Sequence, residues 1–454
     1  MSLTGAAFLL AFLGGLTLAL WKHPRYGLWT YVAVFYIHPP SRWWGDLIPD
    51  LRWSLLAAAV TLVAALRLPA VRDRTSWLAT APGVGLILFT VWLWIQSFWA
   101  LDPVEHHEAC VLYTKFILLY YLVYRLVDSP GEMIGFLLVH VAGCVYLGVL
   151  AYFEGGSGRL EGVGGPGIDE ANAFAMQLVT AIVPAAMIAL VMPGWKRYAA
   201  IAAMPFMLNG IVLSGSRSGF LALATAGLAL WYFKPKTHRG LFYAYAVLGV
   251  VLFGMVASQV FWERIGGTME AVMNPEEKQL DNSAESRFAL VEAQMQMVSD
   301  YPMGTGHRGT AVLSPDYLEE KYLSATVGGE IRRRSSHSTF MSAFSEQGWP
   351  GAIWYIWMVL WSVATLLGLR RATRAPEEAE RRTLVAITAG VLAAILVAGL
   401  FVDYLKAEVQ IWFWALLAAL GAEQRLRVLQ RRARQEPRAA AAAGRAQGIV
   451  GVGE

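Results

Sequence analysis

Apolar runs suited to crossing a hydrocarbon core recur along almost the whole chain. Thirteen of them fall near 3–20, 26–38, 52–68, 82–99, 111–127, 131–152, 172–191, 198–213, 217–233, 241–260, 341–367, 384–402 and 408–422. A helix needs about 20 apolar residues to span a bilayer. A water-soluble fold cannot bury this much: 56% of the 454 residues are apolar and 15% are charged, where soluble domains carry about 25% charged residues. No stretch alternates as the strands of a transmembrane barrel do. The chain therefore reads as all-α, a polytopic transmembrane helical bundle of about 12–13 spans, the run at 26–38 being short enough for a partial crossing. The 18 tryptophans suit a bilayer, because indole rings favour the headgroup region.

The basic residues orient this bundle. One set of alternate loops, with the segment after 422, holds twenty-three Lys and Arg; the short loops and helix ends of the opposite side hold six, Arg42, Arg52, Lys115, Arg159, Arg217 and Lys406. The first set and the C-terminus are expected in the cytoplasm. Segments 38–51, 100–110, 153–171, 214–217 and a large loop then lie on the far side. The N-terminus lacks the basic region and cleavage site of a signal peptide, so residues 3–20 are expected to stay as a first span. The domain reading is 1–152, N-terminal transmembrane helices; 153–260, core transmembrane helices with an arginine motif; 261–337, the large loop; 338–422, C-terminal transmembrane helices; and 423–454, a disordered tail.

Soluble-like polarity returns in the large loop. Phe288, Val291, Met295 and Val298 recur at helical spacing within the charged stretch 276–300. This predicts an amphipathic helix lying on the membrane or capping the bundle. A second polar helix is expected at 315–325. Several classes are excluded at this level. A net charge of +4 suggests no nucleic-acid partner. Cys110 and Cys144 show no metal-binding or disulfide spacing and read as apolar packing residues. No GxxxxGK[ST] run implies a nucleotide, and no cofactor motif is present.

Four patches carry residues suited to chemistry. Ser214-Gly215-Ser216-Arg217-Ser218-Gly219 puts an arginine at the start of an apolar helix, where a charge is costly without a partner. Small neighbours let an anion approach the backbone N–H groups there; the alternative is an arginine reaching to lipid phosphates. Ser286-Arg287 lies within the amphipathic stretch and taken alone reads as a surface arginine. Two arginines on one face would suit a diphosphate, since each guanidinium offers a fork of donors. Arg334-Ser335-Ser336-His337-Ser338 leads into the next span, with Glu346-Gln347-Gly348 beyond it. Imidazole at such a boundary can accept a proton near neutral pH, or serve only as a hydrogen-bonded interfacial group. Last, Arg159, the glycines up to Gly167, Asp169-Glu170 and Asn172 form a Gly-rich loop that either lines a substrate groove or merely connects two helices.

The order of these patches resembles the O-antigen ligase family, which shares a ligase/polymerase domain with oligosaccharide polymerases and bacterial protein O-glycan transferases. The resemblance rests on Ser214–Gly219, on Ser286-Arg287 leading to Tyr301-Pro302-Met303-Gly304-Thr305-Gly306, and on His337 with Glu346-Gln347-Gly348 and Gly351, and covers roughly 153–370. It implies a multi-pass protein of the bacterial inner membrane with its active site on the periplasmic face. Such a protein transfers a glycan from undecaprenyl diphosphate to a hydroxyl of lipid A–core oligosaccharide, without nucleotide or metal. By motif, His337 would be catalytic and Arg217 and Arg287 would hold the diphosphate. Arg159, Asn172, Ser216, Arg334, Ser338 and Glu346 are candidates for the substrate groove. Family members often carry Asn after the histidine, where this chain has Ser338. Asp169-Glu170 and Glu319-Glu320 are adjacent pairs without a third oxygen ligand, so metal-independent transfer with inversion is expected. A polymerase or protein O-oligosaccharyltransferase of the same superfamily is the alternative. A lipid-linked glycan flippase is disfavoured because the halves of the chain do not resemble each other.

Overall fold

The computed structural model describes residues 2–69, 76–155, 160–165, 167–235, 238–256, 282–323 and 332–428. All regular structure among them is helical. In chain order these are α1 Leu3–Trp21, α2 Arg25–Ile37, α3 Trp53–Leu66, α4 Ala81–Gln96, α5 Pro103–Leu126 and α6 Pro130–Glu154. Next come α7 Ala171–Val191, α8 Trp195–Ser214, α9 Arg217–Phe233 and α10 Arg239–Val256. The remainder are α11 Asn282–Asp300, α12 Gly309–Tyr317, α13 Thr339–Ser345, α14 Gly348–Ala372, α15 Ala379–Ala398 and α16, 410–428. Seven are long and apolar enough to cross a membrane: α1, α5, α6, α7, α8, α14, and α15 with the turn that precedes it. The protein is a multi-pass membrane protein.

Helix starts follow a common device. Thr80, Asp102, Ser129, Ser216 and Ser338 each accept a hydrogen bond from the N–H three residues on. An apolar solvent leaves such N–H groups no other partner, so each cap matters more than in water. Packing centres on α7, whose residues are buried on every side, as expected of a helix apolar all round. Helix α16 is the second axis: Trp412 to Ala418 are each at most 1% exposed. A polar hub joins these axes to α2 and α6. The Tyr36 hydroxyl accepts from Gln177 Nε2 at 2.5 Å and Trp412 Nε1 at 2.9 Å, and meets His140 Nδ1 at 2.5 Å. The other His140 nitrogen lies 3.1 Å from the Thr180 hydroxyl.

Four expectations change in detail. The run 341–367 is two helices, α13 and α14, broken at Glu346-Gln347. Gly304, at φ 77°, and Gly348, at φ 67°, lie against each other there, and a Cβ on either would collide with the other's backbone. The Gly306 N–H donates to Glu346 O at 2.9 Å and the Trp349 N–H to Pro302 O at 2.9 Å. Gln96 Nε2 reaches both Met303 O, at 2.9 Å, and Glu346 O, at 3.1 Å. In α11 the buried face includes Leu290, Ala293 and Met297, packed on Leu313 and Leu318; of the expected stripe Val298 is buried, while Phe288, Val291 and Met295 are exposed. The helix thus caps neighbouring structure with one face and presents its other apolar stripe outward. The second loop helix is α12, which begins six residues before the expected 315 and ends at Tyr317, because Ala311 and Leu313 are the residues that find apolar partners. Helix α16 continues to 428, past the expected tail boundary, with Arg427 paired to Glu423 at 2.8 Å and Glu378 at 2.7 Å. The tail beyond 428, the parts of the expected loop helices at 276–281 and 324–325, and Arg159 lie outside the described residues.

The glycine contact yields a stability test. Gly304→Ala combines a left-handed backbone with a backbone collision, so it is expected to lose at least about 2 kcal/mol. Thermal unfolding in detergent should show a lowered midpoint. Gly227→Ala, on α9 with open space around it, should leave the midpoint in place.

Candidate functional site

Three of the expected residues meet around the end of the loop. His337 lies mostly buried just ahead of α13, and Arg334 and Arg287 are the two charges that act on it. The segment is held on α11 and α12 by short polar links. Gln294 Nε2 donates to the hydroxyls of Ser336 at 3.0 Å and Ser345 at 3.1 Å. The Arg334 N–H donates to the Ser314 hydroxyl at 2.7 Å, and its guanidinium to the Ser286 hydroxyl at 3.2 Å. The Ser286-Arg287 pair therefore does more than decorate a surface: Ser286 seats Arg334, and Arg287 faces the histidine. Burial, then Arg334, then Arg287 push the His337 pKa down to about 4, so the imidazole is neutral throughout the neutral range.

A second cluster forms around the turn between α8 and α9. Gly215 ends α8 with φ 58°, and Ser216 caps α9 while donating to Asn172 Oδ1 at 2.8 Å. The Asn172 amide in turn donates to Glu170 at 2.6 Å. Arg217 is the first residue of α9 and is exposed. Ser216 and Ser338 are thus both helix caps, which accounts for their identity without a role in a groove.

The segment 399–409 between α15 and α16 joins the two clusters. The Thr339 N–H donates to Gly399 O at 2.7 Å and Val402 O at 3.1 Å. The Ser338 hydroxyl donates to Gly399 O at 3.4 Å, and the Ser342 hydroxyl to Asp403 Oδ2 at 2.8 Å. Tyr404 lies against Ser218, near Glu170. Nothing in the sequence reading singled out this segment. The available signal was Asp403, Lys406 and Glu408 within one short break between two apolar runs.

Glu346 is brought to a different place from His337. It is 2% exposed, with one oxygen 3.8 Å from His307 Nδ1. His307 is completely buried, and its N–H donates to His106 Nδ1 at 3.0 Å. The His106 Nε2 donates to Leu93 O at 2.8 Å, so the pair is linked to α4. Burial and the neighbouring Asp403 raise the Glu346 pKa, with Lys406 opposing. Burial, with His106 and Lys406, keeps His307 neutral. Glu346 thus belongs to a buried ionisable group at the helix break. Among the described residues, no set of three or more His, Cys, Asp or Glu side chains is arranged to hold a metal ion.

The O-antigen ligase family model matches residues 202–356. Arg217, Arg287, Arg334, His337 and the Gly304–Gly348 contact all fall in that stretch. Over that stretch the chain is similar to the O-antigen ligase family. No curated protein matches the chain. The matched region contains the His337 cluster and the α8–α9 turn, whereas Glu170 and Asn172, the 399–409 segment and helices α1 to α7 lie outside it.

His337 should titrate far from an ordinary histidine. In protein labelled at histidine, its imidazole signal should stay in the neutral form down to about pH 5 and shift around pH 4. Replacing Arg334 by Gln removes a repelling charge, so the midpoint should rise. A wild-type midpoint near 6.5 would show a solvated imidazole free of the two arginines.

Proposed function

We propose that this protein is an O-antigen ligase, transferring a polysaccharide from undecaprenyl diphosphate to a hydroxyl of lipid A–core oligosaccharide. The observation that carries the reading is one neutral, half-enclosed histidine close enough to two guanidinium groups for both to lower its pKa. Displacing a diphosphate from an anomeric carbon breaks the C–O bond toward the leaving group and builds negative charge on it. Fixed cations there favour the transition state. Arg287 and Arg334 would receive the diphosphate oxygens, with Arg217 as the further arginine at the neighbouring helix start. Attack comes from the opposite face, giving inversion, and the acceptor hydroxyl's proton passes to His337.

The electrostatics make His337 a conditional base. Burial first, and then the two arginines, hold its pKa low, and the imidazole alone is a weak acceptor. A bound diphosphate neutralises the arginines and adds negative charge nearby, which raises that pKa toward the range where a base is effective. The reading places the site on the periplasmic face of the bacterial inner membrane and the C-terminus in the cytoplasm, from the distribution of Lys and Arg between alternate loops.

Several outcomes follow. His337→Ala should abolish transfer while membrane insertion and abundance stay near wild type; a well-expressed His337→Ala protein with full activity removes the histidine from the mechanism. Arg287→Ala should lower turnover at saturating donor by roughly tenfold to a hundredfold. Arg217→Lys, which keeps charge but loses the fork, should retain less activity than a simple point charge would allow. Purified protein with lipid-linked donor should work unchanged in excess chelator, and loss with EDTA restored by magnesium would point to a metal site. Restoration of full-length lipopolysaccharide in a host lacking its own ligase tests the acceptor. Elongated lipid-linked glycan without ligation would instead indicate a polymerase.

A further inference from the structure

A groove on α5 lies apart from the two clusters. Its first part is a cavity of about 540 Å³ between α2, α3 and α5, within the roughly 300–1,000 Å³ usual for ligand sites. Val34, Leu55, Ala58, Leu118, Leu119 and Leu122 form an apolar wall, and His38, Asp50, Arg52 and Lys115 also line it. Its second part is a cavity of about 300 Å³ whose lining includes Glu105, His107, Glu108, Lys406 and Glu408. Lys115 lines both.

Lys115 is the unexpected residue. It lies twelve positions into α5, a helix apolar enough to cross a membrane, and its side chain is exposed. A cation at such a position is costly and marks a functional site by default. Glu408 is the carboxylate that feels it: burial raises the Glu408 pKa and Lys115 opposes the rise. The Gly-rich loop before α7 sits over the junction. Gly165 lies against the His38 ring, and a Cβ on Gly167 would collide with the Glu408 carboxylate. That loop therefore touches a lining residue of each cavity, which gives its glycines a steric reason.

The two cavities differ in lining: the first is mainly apolar with Arg52, Lys115, His38 and Asp50, and the second carries Glu105, Glu108 and Glu408 beside Lys115 and Lys406. An acyl chain suits the first, sugar hydroxyls suit the second, and a phosphate suits the cation that lines both. A bulk phospholipid with a small headgroup has nothing to offer the second cavity. The donor diphosphate is already placed with Arg287 and Arg334, so a second lipid-borne substrate is the one left to seat. We propose that this groove binds the acceptor, a phosphorylated glycolipid, with one acyl chain in the apolar slot, its phosphate on Arg52 and Lys115, and its sugars in the carboxylate-lined cavity. This rests on the reading that the protein transfers a glycan between two lipid-borne substrates.

The full chain in phosphatidylcholine nanodiscs, with lipid-linked donor and lipid A–core acceptor, tests it. Lys115→Gln should raise the acceptor KM about tenfold, the loss of one charged hydrogen bond, with kcat and donor KM within about twofold. Lys115→Arg should restore most of the loss. Leu55→Trp, a change at an exposed position that fills the slot, should raise the acceptor KM as well. Fluorescent lipid A should bind wild type and His337→Ala alike and bind Lys115→Gln more weakly, independently of turnover. A change in donor KM alone, no change in any constant, or equal competition by phosphatidylglycerol would each overturn the assignment. If wild type binds lipid A in a Lys115-dependent way but transfers nothing to lipid A–core, the ligase reading fails and the groove stands.

Discussion

The backbone contact at Gly304 and Gly348 is the constraint on which the arrangement depends. It interrupts what would be a continuous span at Glu346 and Gln347, and ties the end of α11 to the start of α14. Gln96 then holds both partners from α4 through Met303 O and Glu346 O. With that end of the loop anchored, α11 and α12 can pack on each other and receive the 332–338 segment. His337 owes its position to this chain of contacts. A bilayer makes such a knot durable, because exposed backbone groups at a helix break would otherwise lack partners in hydrocarbon.

The same break gathers ionisable groups away from water. Glu346 and His307 are enclosed, with Asp403 partly buried and Lys406 nearby, and burial pushes both carboxyl groups up and the imidazole down. Each shift reduces the charge that must be buried. This group is built to stay neutral or internally balanced. At His337 two guanidinium groups, Arg334 and Arg287, add to burial in disfavouring the charged imidazole.

The helical membrane architecture was legible in the sequence because hydrophobic runs and turn residues are local properties. Each of the thirteen apolar runs carries helix over its described residues, the run at 341–367 as two helices, down to the short one at Arg25–Ile37. The capping serines and the Gly215 stop could be read as helix signals, since they satisfy neighbouring N–H groups. The grouping of Ser286-Arg287 with His337 rested on a family resemblance, for the residues stand fifty positions apart and no periodicity connects them. Phe288, Val291 and Met295 show where local reading failed: their spacing marks a helix, yet the face that packs on α12 is Leu290, Ala293 and Met297. A helix with two apolar stripes does not say which one meets protein.

By itself the sequence determined the all-helical class and the membrane character of the chain, because both follow from residue type and near neighbours; of the 12–13 expected spans, seven are helices long and apolar enough to cross a membrane. Only the tertiary structure decided that Glu346 leaves the vicinity of His337 for His307, that Arg334 joins Arg287 beside the imidazole, and that the 399–409 segment bridges both clusters. It also decided that Lys115 faces two cavities. These outcomes depend on which helix ends meet across the bundle, and that is settled by packing volume and by collisions such as those at Gly304 and Gly167, which no local pattern encodes.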